Sequence, residues 1–176
     1  LILLAVFLAV FAQAVVDTPR GLTGAQVDLL PSLIVYTSLS SGLGVVALVA
    51  FVGGMLFDSL SANPLGASML PLFLIGFAIQ RYRSSILREQ AYAQFILGLA
   101  ASGAVPVLTW LILINAGTAP LIGWYSAWQW LVMTVLGAVA APLWFRLFGW
   151  ALDALTYQSL SETGFRHERE IKRGRK

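Results

Sequence analysis

The sequence predicts an all-α polytopic membrane protein of about six transmembrane helices, and three observations carry that prediction. The chain has 176 residues, of which 59% are hydrophobic and only 11% charged, against roughly 25% charged in an ordinary soluble domain. Its apolar runs are long, continuous and spread along the whole length, as in Leu1–Val16 and Gly42–Phe57. A transmembrane barrel would instead alternate apolar and polar residues in segments of about ten. The basic residues gather in two places, the Arg81–Glu89 segment and the tail. That is the asymmetry expected of short loops kept on one side of a membrane.

The first predicted helix, Leu1–Val16, is apolar apart from Gln13 and lies near the minimum for a span of about 17–25 residues. A missing N-terminal turn would lengthen it. Ala12-Gln13-Ala14 also resembles a signal-peptide cleavage site, although no basic flank precedes it. Asp17–Gln26, with Pro19, Gly21 and Gly24, reads as a loop. Asp28-Leu29-Leu30-Pro31 opens a second helix that runs to about Ser40. Its Thr37, Ser38 and Ser40 suit hydrogen bonds to neighbouring helices. Asp28 reads as an exposed acid complementing the helix dipole, with partner binding as the alternative.

Ser41-Gly42-Leu43-Gly44 is a tight turn into a third helix ending at Phe57. Its Gly53-Gly54 pair would cost helix propensity unless a neighbour comes close there. The polar turn Asp58-Ser59-Leu60-Ser61-Ala62-Asn63-Pro64-Leu65-Gly66 follows. Asn63 is placed to cap a fourth helix that starts on Pro64 and ends near Gln80. Gly66 and Ala67 would let that helix approach a neighbour, and Pro71 would bend it. Asp58 is the one acidic residue between Asp28 and Glu89. At a span end it must reach water or a partner, which makes it a candidate site residue; a solvated helix-end carboxylate is the alternative. Arg81, Arg83 and Arg88 follow in a charged segment.

A fifth helix, about Ala91 to Asn115, is rich in small residues and is expected to break or bend near Pro106. The uncharged loop Ala116–Ala127 leads to a cluster of Trp124, Tyr125, Trp128 and Trp130, an interfacial aromatic belt. The sixth helix starts near Ser126, passes Gly137 and Pro142, and leaves the bilayer over Leu143–Leu160 with Arg146 snorkelling to the headgroups. Residues 1–160 thus form the membrane domain and 161–176 a basic tail. From Glu162 to Lys176 that tail holds six Lys or Arg against three Glu. Nucleic-acid binding is not expected of it, because nothing aromatic interleaves with the charge.

With six spans, both ends and the Arg81–Glu89 loop share a side, while the opposite side keeps only Arg20. The positive-inside rule makes the ends cytoplasmic and turns Asp58–Gly66 outward. Catalysis finds little support. The single histidine, His167, lies in the tail, there is no cysteine, and the serines beside Asp58 have no base but that carboxylate. No phosphate loop or zinc-ligand pattern is present, and the span interiors lack the ionisable residues of an ion path. No catalytic residue, metal or cofactor is expected.

At this point the chain resembles a known family. Asp28-Leu29-Leu30-Pro31 with Val35-Tyr36, and Gly53-Gly54 through Asp58 to Gly66 followed by Gly76-Phe77 and Arg81, resemble segments of the bacterial rod shape-determining MreD family. That family carries an Asp-x-Leu-Ser-x-x-Pro-Leu-Gly turn after a glycine-containing helix end. Its next helix closes on Gly-Tyr and an Arg pair; here Phe77 replaces the Tyr, and Arg81 and Arg83 stand for the pair. The resemblance marks Asp28, Pro31, Gly54, Asp58, Ser59, Ser61, Asn63, Pro64 and Gly66 as its signature. It implies a non-enzymatic inner-membrane subunit of the elongation complex that binds MreC beside RodA, a class B penicillin-binding protein and MreB, in contact with membrane lipids. It also implies a fold similar to the substrate-binding subunits of energy-coupling-factor transporters. A vitamin-transporter subunit with an outward pocket is therefore the rival function.

Overall fold

The computed structural model describes residues 2–15, 27–61, 64–86, 90–117 and 123–160, with side chains except those of 85 and 155–160. Among them are six α-helices: α1 Ile2–Val15, α2 Leu30–Ser40, α3 Leu43–Leu60, α4 Met69–Arg81, α5 Ala91–Asn115 and α6 Trp124–Leu160, with a short 3-10 turn at Arg83–Ser85. The chain divides after Trp144 into two compact units. In the second, α6 continues with Arg146, Trp150 and Asp153 exposed. The tail 161–176, the loop Asp17–Gln26, Asn63 and Arg88 lie outside the described residues.

The predicted helices are all present, but they are unequal. Three of them, Leu43–Leu60, Ala91–Asn115 and α6 over Trp124–Ala154, are long and apolar enough to cross a membrane. The other three are apolar but shorter, at 14, 11 and 13 residues for α1, α2 and α4. At 1.5 Å per residue, α2 rises about 16 Å and α4 about 20 Å. The expected six helices are thus present, and three of them have the length and composition of a span.

The shortest helix is the centre of the first unit. Every residue of α2 from Leu30 to Leu39 is buried, and α1, α3, α4 and α5 all pack on it. A helix surrounded on every side needs no polar face, which explains why Leu30, Leu33, Ile34, Val35 and Leu39 fall around its whole circumference. Three of its hydroxyls, on Ser32, Thr37 and Ser38, bond to backbone carbonyls. Thr37 and Ser38 donate to the Ile34 carbonyl at 3.0 and 2.7 Å, so the expected interhelical bonds are not made by these two. Ser32 does bridge helices: its Oγ donates to the Leu29 carbonyl and accepts the Trp144 indole N–H at 3.1 Å.

Small residues set the other contacts. A Cβ on Gly54 would stand 2.7 Å from the Met69 Cα, and one on Gly98 2.6 Å from the Ala141 Cβ. Any side chain at either place would push two helices apart. The close approach expected at Gly53-Gly54 is therefore present. The prolines take different places. Pro106 lies inside α5, which runs unbroken across it, and Pro71 is the third residue of α4, within the first turn, where no intrahelical donor is lost.

Candidate functional site

The segment Asp58–Ser68 forms the most densely hydrogen-bonded polar feature among the described residues. α3 runs three residues past the expected end at Phe57, so Asp58 and Ser59 belong to its last turn. The fourth helix starts later than expected. Pro64 to Ser68 form a turn in which the Ala67 N–H reaches the Pro64 carbonyl at 3.1 Å, and α4 begins at Met69. Proline is thus the entry to the turn and not the first helical residue.

Asp58 closes this turn from within. It is 1% exposed. Its Oδ2 accepts the backbone N–H groups of Gly66 at 2.9 Å and Ser68 at 3.0 Å, and its Oδ1 accepts the Ser68 hydroxyl at 2.6 Å. A carboxylate taking two amides and a hydroxyl has exchanged most of its hydration for charge-assisted bonds. The Ser68 amide lies at the start of α4, where backbone donors lack intrahelical partners. Asp58 therefore links the end of α3 to the beginning of α4, and its charge is used internally. A solvated helix-end carboxylate is excluded by this burial.

Gly66 makes the clamp possible for a different reason than close packing. Its φ is +91° and a Cβ there would meet nothing within 4 Å. The residue is needed for a backbone conformation that side chains disfavour, which points its N–H at Asp58. Four residues of the segment are exposed, Ser59 and Pro64, and Leu60 and Leu65 at 62% and 67%. Ser59 Oγ donates to the Leu56 carbonyl at 2.8 Å and Ser61 Oγ to the Asp58 carbonyl at 3.4 Å. Both hydroxyls serve the helix end.

Asp28 corrects the expectation of an exposed acid, since it is buried just before α2. Its Oδ1 accepts the Leu30 N–H at 3.0 Å and faces the Gln13 amide of α1 at 3.5 Å. Pro31 follows it in the first turn of α2. The Asp28 carbonyl comes near Gly137 of α6, against which Ser102 of α5 also packs. The partners Gln13, Ser68, Ser102 and Gly137 were not singled out from sequence as site residues. Only Gln13 carried a signal, as the one polar residue in its apolar run.

At the opposite end of α2, the Ser41 carbonyl accepts the Gln80 side-chain amide and the Arg83 guanidinium, both at 3.2 Å. A cation there complements the negative end of the helix dipole. Arg81 is exposed in the last turn of α4.

The family model described as rod shape-determining protein MreD matches residues 1–151, and the chain belongs to that family. The comparisons with curated proteins and with solved structures gave no significant match.

Proposed function

We propose that this member of the MreD family is a non-enzymatic inner-membrane subunit of the bacterial elongation complex, which binds MreC and helps organise lateral peptidoglycan synthesis. RodA, a class B penicillin-binding protein and MreB are its further partners. The carrying observation is the use of Asp58, whose carboxylate is occupied by three donors from Gly66 and Ser68. A group so committed holds a surface in shape, its charge engaged by backbone and hydroxyl donors of the same turn. The surface it holds is the rim of Ser59, Leu60, Pro64 and Leu65.

Both ends lie in the cytoplasm in this reading, because Arg81, Arg83, Arg88, Arg146 and the tail would share that side. The rim then faces the compartment in which MreC folds. The test is affinity purification in mild detergent of the wild-type chain and of Leu60→Ala, Pro64→Ala and Leu65→Ala variants, with co-purifying proteins and small molecules identified. These positions are exposed, so the variants keep the packed core. Loss of MreC from at least one variant that inserts normally is the expected result. Full MreC recovery and normal rod shape in all three would remove the rim from the interaction. A vitamin and an ATPase co-purifying instead of MreC would favour the transporter reading.

A further inference from the structure

Short and long helices of the first unit stand on a common base and end at different heights. At one end, Gln80 and Arg83 both reach the Ser41 carbonyl, so α2 and α4 finish level. At the other end Met69 lies against Gly54 of α3 and the Leu30 side chain against Gly53, so α2 and α4 also start level. Their common height is only about 16–20 Å. The Asp28 carbonyl, Ser102 and Gly137 meet near that upper level. Beyond it α5 continues for thirteen residues, Gly103 to Asn115, and α6 has thirteen from Trp124 to Leu136. The α5–α6 pair therefore rises about 20 Å past the layer that holds Asp28.

A hydrocarbon core is about 30 Å thick. Trp124, Tyr125 and Trp128 are exposed at the far end of α6, where amphipathic rings mark an interface. If the membrane surface passed those rings everywhere, Asp28 and Asp58 would lie near the bilayer centre. The outer surface of α4 shows why it does not. Leu70, Leu74 and Phe77 are exposed apolar contacts, bounded by exposed Arg81 and Tyr82 below and by the Pro64–Ser68 turn above. Apolar side chains closed off by a cation and a phenol are chemistry for lipid tails and headgroups.

We propose that the chain draws the lipid leaflet on the Asp58 side inward along α3 and α4, so that headgroups and water meet the protein at the level of Asp58 and Leu65 and not at the tip of α5 and α6. A short span is accommodated by thinning the bilayer around it. The inference rests on α4 crossing the membrane, as in the proposed topology, and it adds a lipid partner to that surface.

The chain has no cysteine, so single cysteines report without background. Leu65→Cys, Leu74→Cys and Tyr82→Cys, with Leu99→Cys and Val107→Cys on α5, are reconstituted alone in vesicles of dimyristoleoyl, dioleoyl or dierucoyl phosphatidylcholine. Each is then reacted with a water-soluble maleimide present on both sides. All five positions are exposed, so the substitutions spare the packing. In dioleoyl vesicles Leu65→Cys and Tyr82→Cys are expected to react at least about tenfold faster than Leu74→Cys, Leu99→Cys and Val107→Cys. Lengthening the chains to dierucoyl is expected to slow Leu65→Cys by about tenfold as the leaflet resists thinning. Protection of Leu65→Cys or Tyr82→Cys equal to that of Leu74→Cys overturns the proposal, as does a Leu65→Cys rate indifferent to chain length, the mark of a protein-walled recess. Fast reaction at both α5 positions would instead overturn the membrane-crossing reading beneath it.

Discussion

The two carboxylates buried among the described residues, Asp58 and Asp28, are held in contrasting ways. Asp58 finds all its described partners within ten residues, on Gly66 and Ser68, at 2.6–3.0 Å. Asp28 has one local donor, the Leu30 N–H, and a long 3.5 Å approach from Gln13, fifteen residues away on another helix. The first is a closed local device that can form once α3 and α4 meet. The second depends on α1 being docked beside α2. The difference teaches that the Asp58–Gly66 turn is held by its own residues, while the start of α2 takes its order from the bundle.

Replacing the clamp should produce the largest effect. Asp58→Ala leaves the buried amide and hydroxyl of Ser68 and the half-buried Gly66 amide without their acceptor, and about 3 kcal/mol of stability is expected to go. The check is thermal unfolding in detergent, with Asp58→Asn losing less because one oxygen remains; equal stability of Asp58→Ala and wild type would break the contrast.

A smaller loss is expected at Gly66. Its φ of +91° is uncomfortable for a side chain, so Gly66→Ala should cost roughly 1–2 kcal/mol although the space around it is open. A larger loss in the Asp58→Ala background than in wild type would contradict the view that Gly66 acts through the clamp, and a double-mutant cycle reads this directly.

The smallest effect is expected at Gln13→Leu. A hydrogen bond at 3.5 Å is weak, the Gln13 Oε1 is buried without a partner, and leucine adds apolar contact. A change within about 1 kcal/mol in either direction is expected. A loss matching that of Asp58→Ala would show that the Asp28 contact is as strong as the clamp, and would erase the distinction between the two sites.

Much of this was legible in the sequence for a physical reason. Uncharged apolar runs have few stable forms besides helices when water cannot satisfy the backbone, so helix identity and approximate order follow from Leu1–Val16, Gly42–Phe57 and Ala91–Asn115 alone. The Asp58–Gly66 turn was visible because its partners are near in the chain, and Gly53-Gly54 because glycine in a helix needs a packing reason. α4 starts five residues after Pro64: a proline that can open a helix can equally enter a turn, and only the Asp58 bonds to Gly66 and Ser68 decide between them.

What the sequence determined by itself was the class of the protein, the helices and the local turn, since these rest on hydrophobic continuity and on contacts a few residues apart. The tertiary structure decided which helix is central, which carboxylate is hidden and how high each helix stands. Burial of α2 and Asp28 comes from side chains that are remote in the chain, such as Gln13, Ser102 and Trp144. The unequal heights appear only when Met69 is seen against Gly54 and Ser102 against Gly137, because no residue pattern records which helices begin on the same level.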